Sequence, residues 1–353
     1  KYDIFLNIVI HNHGKFCTTY DHEWEHNPFN KALGGYLDYP EEYFTDSRAR
    51  ESFKNLMRYI IARWGYSTSV FAWQLWSELD LTGSDKDNIK NYQRPEVVQW
   101  HKWAGQEIKM MDPWDHLIST HVCGDYTHQN KEIIALSEID HAAVDAYHFS
   151  PDPLHIVALI KQTAEFNNQF NKPVIITEFG GSPFAQDVKH LKNTLHAGLW
   201  TSACVPIGGA PLFWWWQLID EENFYPMFKA FSNFIVDVDR RNPEMKPIPV
   251  NCIIKGQKRH FVDAEVMGNS EFLAGWIHLT RNFSNIETIG IEPVENLTVE
   301  IGKEFSGTFK VEFWDTVRGQ IISTSDLTIT NTIFSLGVPT FQRDIAFKAY
   351  KKQ

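Results

Sequence analysis

Between residue 1 and about residue 240 the chain keeps returning to one pattern. A short, continuous apolar run is followed by a break and then by a longer segment with apolar residues at helical spacing. The runs are Ile4–Ile10, Val70–Trp76, His116–Val122, Ala142–Tyr147, Pro173–Thr177 and Ala210–Trp216. Runs that are apolar throughout, rather than alternating, suit parallel strands covered on both faces. Between them, Ala49–Trp64 places Phe53, Leu56, Met57, Ile60 and Ile61 on one helical face. Glu96–Met111, Leu154–Phe170, Asp187–Ala203 and Tyr225–Val236 have the same texture, with a shorter stretch at Lys131–Ser137. Repeated βα units predict an α/β fold with a parallel sheet and right-handed crossovers.

The texture changes at Asn242–Pro249, where Pro243, Pro247 and Pro249 mark a semi-rigid linker. Beyond it the chain is rich in Thr, Val, Ile and Phe, in short alternating stretches such as Phe309–Phe313, Gln320–Ser323 and Leu327–Ile329. Asp315–Gly319 reads as a hairpin turn, and the region as a small antiparallel β-sandwich. The expected division is a domain at 1–243 and a second at 244–353.

Charge excludes one class of partner. Lys and Arg total 33 against 44 for Asp and Glu, a net charge of -11 without a basic cluster, so no nucleic acid is expected. No apolar run reaches the roughly 18 residues that span a bilayer, so no membrane partner is expected. The chain begins at Lys1 rather than Met, so the lack of a leader segment says nothing about export. Cys17, Cys123, Cys204 and Cys252 are widely spaced and read as free thiols. Aromatic residues make up 14% of the chain, which serves core packing or the stacking of sugar rings, and composition does not separate the two.

Two carboxylates stand where strands end. Glu78 closes Val-Phe-Ala-Trp-Gln-Leu-Trp-Ser-Glu, and Glu178 is reached through Pro-Val-Ile-Ile-Thr-Glu-Phe-Gly-Gly. In a barrel of parallel strands the carboxyl ends of the strands form the reaction face. A carboxylate pair there is what retaining glycoside hydrolysis requires, one attacking the anomeric carbon and the other protonating the leaving oxygen.

These segments resemble glycoside hydrolase clan A, the cellulase-like (β/α)8 clan that contains family 5. The TEFG run at Glu178 resembles the clan's nucleophile strand, and the run ending at Glu78 its acid/base strand, usually Trp-x-x-x-Asn-Glu. Gly209–Asp220 resembles the aromatic eighth strand, and Val144–Pro151 (VDAYHFSP) the sixth. The resemblance covers residues 1 to about 240. It implies a (β/α)8 TIM barrel and a retaining glycosidase acting on a β-linked oligo- or polysaccharide, with Glu178 as nucleophile and Glu78 as acid/base. No cofactor and no metal are implied. Substrate-binding candidates are His13 (with His11) in Ile-His-Asn-His-Gly, Ser77 where the clan has Asn, His121, Tyr147, His148, and Trp214 with Trp216, which would share one strand face. Counting strands by this resemblance puts Glu78 on the fourth and Glu178 on the seventh. Strands one and two are then expected before residue 1, in an N-terminal segment or a second chain that completes the barrel. A secreted or periplasmic location is expected. The competing reading is a non-catalytic carbohydrate-binding protein on a degenerate barrel of this clan.

Four further signals stand apart from this reading. His22-Glu23-Trp24-Glu25-His26 matches HExxH, which holds zinc when both histidines share a helical face, but Asn27-Pro28 follows at once. Asp80, Asp85 and Asp87 lack EF-hand spacing. Asn282 and Asn296 begin glycosylation sequons, and Trp276 and Trp314 serve either a glycan surface or the core.

Overall fold

A computed structural model of the chain describes residues 4–84, 91–184, 186–255, 261–281, 283–284 and 292–352. By internal contacts the chain divides into two compact units, residues 1–145 with 165–177, and residues 146–164 with 178–353.

The repeated apolar runs form one parallel five-stranded sheet. Its strands are β1 (Leu6–Asn12), β2 (Val70–Ser77), β3 (Leu117–Val122), β4 (His141–Ala146) and β5 (Val174–Phe179), each beside the next in sequence. The connecting helices are α1 (Ser47–Trp64), α2 (Pro95–Met111), α3 (Lys131–Ala135) and α4 (His155–Asn168). After β5 come α5 (Val188–Ser202), α6 (Trp216–Glu221) and α7 (Tyr225–Ile235). Helix starts follow local chemistry. The Asp46 carboxylate accepts from the amides of Arg48 and Ala49, Asn130 caps α3 in the same way, and Pro95 opens α2 where its missing N–H costs nothing. α1 buries Ala49, Phe53, Met57 and Ile61, a narrower stripe than the sequence suggests, since Leu56 faces solvent.

In the first unit the core is aromatic. Trp76, Trp100, Phe16, Tyr43, Phe44 and Phe53 are fully buried, with ring centroids mostly 4.6–6.0 Å apart. Trp76 donates its indole N–H to Thr82 Oγ1 (2.8 Å) and Trp73 to Asp112 Oδ2 (2.9 Å), so these two indoles are buried without a lost hydrogen bond. The first strand departs from a covered strand. Among the described residues β1 has only β2 beside it, and Ile4, Phe5, Leu6 and Val9 are exposed.

The run Ala210–Trp216 is not the sixth strand that its composition suggests. Only Phe213 forms a bridge, with Phe179, through Phe179 N–H to Leu212 O (3.1 Å) and Trp214 N–H to Phe179 O (2.9 Å). Pro211 lacks the N–H a longer ladder needs, and Trp216 opens α6. Trp214 and Trp216 therefore do not share a strand face. The sheet shows five strands, and an eight-stranded closure is not seen among the described residues.

In the second unit the all-β region begins at the expected change of texture. Its strands are β6 (Lys246–Pro247), β7 (Val250–Ile254), β8 (Val262–Gly268), β9 (Phe272–Leu279), β10 (Leu297–Asp315), β11 (Gln320–Gly337) and β12 (Asp344–Lys351). They form one curled antiparallel sheet of seven strands by hydrogen bonding. The reason is the length of β10. Its first part, Leu297–Ile301, pairs β7, and its last part, Phe309–Trp314, pairs β12. Register shifts against β11 between Ile301 and Gly307 lie between the two parts. Val299, Ile301, Phe305, Phe309, Val311, Phe334 and Phe347 fill its core. The turn at Asp315–Gly319 is as expected. Asp315 Oδ1 accepts from Val317 and Arg318 N–H (both 2.8 Å), and Gly319 takes the left-handed conformation at φ +61°. Trp276 and Trp314 are buried core residues, so neither offers a surface to glycan.

Candidate active site

Glu78 lies in the first unit, immediately after β2. The parallel register sets Asn12 opposite Ser77, and His13 N–H continues the ladder to Ser77 O (3.1 Å), which brings His13 level with Glu78. His13 Nδ1 lies 2.6 Å from Glu78 Oε2, and its Nε2 lies 3.2 Å from Asp21 Oδ2. Burial alone would depress the imidazole, but the carboxylates of Glu78 and then Asp21 outweigh it and hold His13 above its ordinary value. Burial would likewise raise Glu78, but the His13 contact and a hydrogen bond from Cys123 hold it below the usual carboxylate range. The opposed shifts leave the proton on His13 and the charge on Glu78.

The Glu78 backbone is unusual. At φ +53°, ψ +52° it occupies the left-handed region, which costs a residue with a side chain about 1–2 kcal/mol. Its N–H donates to His121 Nδ1 (3.1 Å), and Ser77 Oγ lies 3.2 Å from the same nitrogen. His121 Nε2 is 2.6 Å from Asp145 Oδ1, on a strand buried at every residue. Burial raises the Asp145 carboxyl above its ordinary value.

Glu78, Cys123 and Asp145 each offer a ligand atom within 4.8 Å of the others. Burial, followed by the charges of Glu78, Asp145 and Asp80, pushes the Cys123 thiol far up. It stays protonated and serves as a donor to Glu78, not as a thiolate ligand. The Cys123 amide in turn donates to Asp80 Oδ1 (2.7 Å), which gives that buried aspartate an internal partner; Asp85 and Asp87 lie outside the described residues.

Glu178 belongs to the second unit, one residue before the end of β5. The Tyr147 hydroxyl, from the residue after β4, donates to Glu178 Oε2 at 2.7 Å. The chain turns directly after Phe179. Gly180 has φ +138°, a Cβ there would come within 2.9 Å of both Phe213 and Trp215, and the Trp215 indole N–H donates to Gly180 O (2.9 Å). His148 is buried with its ring centroid 5.0 Å from His155 and 5.9 Å from His190. Burial, followed by those two rings, lowers it to about 4. Trp214 and Trp216 are 41% and 63% exposed.

The sequence reading thus named Ser77, Glu78, His13 and His121, which the structure gathers in the first unit, and Tyr147 with Glu178, which it pairs in the second. His11 is a core residue. It bonds the Tyr43 hydroxyl (2.8 Å), and burial with nearby Lys15 depresses it to about 3. The HExxH match has no helix behind it. Trp24–His26 is a single 3-10 turn, and His22 Nδ1 contacts Glu25 Oε1 (3.0 Å) at the surface. Asp145, Cys123 and Asp21 escaped the sequence reading. The signal for Asp145 was an acid inside an otherwise apolar strand, His-Ala-Ala-Val-Asp-Ala; for Cys123 and Asp21 the sequence carries none.

No protein-family model matches the chain, and no curated protein matches it. Solved structures do. One, described as a glycoside hydrolase, superposes with a TM-score of 0.53 at 13% identity, over 85% of this chain and 69% of its own. A glycoside hydrolase family 5 protein from Bacteroides vulgatus superposes with a TM-score of 0.51 at 11% identity, over 85% of this chain and 66% of its own. This chain therefore spans about two thirds of the length of each. Its fold is one shared with glycoside hydrolases, a family 5 member among them.

Proposed function

We propose that this chain is a retaining glycoside hydrolase that cleaves β-glycosidic bonds of an oligo- or polysaccharide by double displacement. Glu178 is the nucleophile and Glu78 the acid/base. One observation carries the reading: each glutamate stands at the carboxyl end of its strand with its carboxylate engaged by a proton-bearing side chain, Tyr147 for Glu178 and His13 for Glu78. The shared fold supports it.

In the first step a Glu178 oxygen bonds to the anomeric carbon while the bond to the leaving oxygen breaks, and Glu78 delivers a proton to that oxygen. In the second, Glu78 takes a proton from water, the water oxygen attacks the same carbon, and the ester to Glu178 is released. The proton that Glu78 delivers is drawn from His13, 2.6 Å away. Tyr147 orients the nucleophile by occupying Oε2. Ser77 and His148, with the exposed rings of Trp214 and Trp216, are the residues assigned to substrate binding, whereas His121 is buried with both ring nitrogens engaged inside the protein. Retention requires carboxyl groups about 5–5.5 Å apart in the working enzyme. No cofactor takes part. We assign a secreted or periplasmic location, and pairing by an N-terminal segment or a second chain on the apolar edge of β1 that has no neighbour among the described residues.

The test is hydrolysis of a panel of aryl β-glycosides and plant polysaccharides, with product anomers followed by proton NMR. Turnover with retained configuration, abolished in Glu178→Gln, is the expected result. Inverted product, or no turnover by the folded protein on the whole panel, overturns the reading. Among the described residues no helix is long and apolar enough to cross a membrane.

A further inference from the structure

The hydrogen bonds around Glu78 run in only one direction. A backbone amide can donate and cannot accept, so the Glu78 N–H to His121 Nδ1 contact (3.1 Å) requires a lone pair on Nδ1. The Ser77 hydroxyl, 3.2 Å from the same nitrogen, must donate as well. A neutral imidazole with its lone pair at Nδ1 carries its proton at Nε2, whereas an imidazolium carries protons on both nitrogens and loses the contact. Nε2 is 2.6 Å from Asp145 Oδ1, and a carboxylate there accepts that proton's hydrogen bond. Asp145 is fully buried and its second oxygen has no partner among the described residues. A buried carboxylate is costly unless it is paired and hydrogen-bonded, and here the His121 N–H supplies that partner.

We propose that His121, fixed in its Nε2–H tautomer by Asp145, is the positioning residue that holds the left-handed backbone of Glu78 and so aims its carboxyl group. The proposal rests on the reading of Glu78 as the acid/base. Neither His121 nor Asp145 exchanges a proton with substrate in this scheme. They act through the Glu78 amide, and the Ser77 hydroxyl donates to the same acceptor.

Asn and Gln separate this role from simple filling of space. The Asn side-chain oxygen falls near the place of His Nδ1, and the Gln nitrogen near the place of Nε2. His121→Asn therefore keeps an acceptor for the Glu78 N–H, and His121→Gln keeps only the link to Asp145. With 4-nitrophenyl β-glycosides of the panel sugar that turns over, His121→Gln should lose about 10–100-fold in kcat with KM little changed, and His121→Asn should recover most of it. Asp145→Asn should lose kcat on 4-nitrophenyl substrates and much less on 2,4-dinitrophenyl ones, whose leaving group needs little protonation. Gln equal to or better than Asn at position 121, or equal losses on both leaving groups, overturns the proposal. NMR of the full chain with 15N-labelled histidine is independent of turnover and of how well Asp145→Asn folds. It should show His121 as the Nε2–H tautomer at neutral pH, and an Nδ1–H tautomer or an imidazolium overturns the proposal. Glu78→Gln run beside these variants separates the two claims. If it retains turnover, the acid/base reading fails while the NMR result still decides the tautomer.

Discussion

Glu78 and Glu178 both follow apolar strand residues, yet their surroundings differ in kind. Glu78 has a neighbour that holds a proton beside it, His13 at 2.6 Å, receives the protonated Cys123 thiol, and donates its own amide N–H to His121. Its backbone is held in a left-handed conformation. Glu178 keeps strand geometry inside β5 and receives a phenol hydroxyl at 2.7 Å. A tyrosine hydroxyl stays protonated across the working range of most enzymes, so it directs a carboxylate without competing for its proton. The difference matches a division of labour. A nucleophile needs a fixed direction and a constant charge, whereas an acid/base needs a neighbour with which to trade a proton twice in each cycle.

The sharpest way to break that contrast is Glu178→Gln, which removes the attacking oxygen. We expect a loss of about 10⁴-fold or more in kcat, measured on activated aryl glycosides. Glu78→Gln should cost about 10²–10⁴-fold on poor leaving groups and far less on 2,4-dinitrophenyl substrates. Similar losses across leaving groups would show that Glu78 does not protonate. Tyr147→Phe deletes a hydrogen bond to a charged carboxylate, valued at about 1.5–3 kcal/mol, and should lower kcat/KM about 10–100-fold. An unchanged kcat/KM would contradict the assignment of Tyr147 as the group that orients the nucleophile.

The smallest effect is the most specific. His13 is held above its ordinary value, so the proton of the pair is present below that raised value and lost as pH rises through it. Activity that depends on this proton should fall over the same range. In His13→Gln, Glu78 alone carries the proton, and the alkaline limb should move down toward the carboxylate range. The same linkage gives a stability statement. The His13 contribution to folding is complete below the ordinary histidine value and disappears above the raised one, so denaturant midpoints of wild type and His13→Gln should converge at alkaline pH.

Much of this was legible in the sequence, and what was missed has physical causes. The strand-closing positions of Glu78 and Glu178 and the alternation of runs with helices are written in local composition, which survives folding unchanged. Tyr147 was legible by its place beside His148. Asp145 was not, because its partner His121 lies on another strand and only the sheet brings them together. The sixth apolar run misled because composition registers its Phe and Trp, while Pro211 removes the donor that a ladder needs. The strand lengths of the C-terminal region were not legible because short alternating stretches mark only parts of them. The real β10 and β11 run through their register shifts for 19 and 18 residues. Trp276 and Trp314 could be assigned to the core only once their burial was known.

The central claim is that Glu178 becomes covalently attached to the sugar. Incubation with 2-deoxy-2-fluoro β-glycosides of the panel sugars, bearing a 2,4-dinitrophenyl leaving group, should trap that state. Mass spectrometry of the intact chain and its peptides should then show one glycosyl addition, on the peptide containing Glu178. A label on the Glu78 peptide, or a chain that turns over substrate yet never carries a label, would contradict the account.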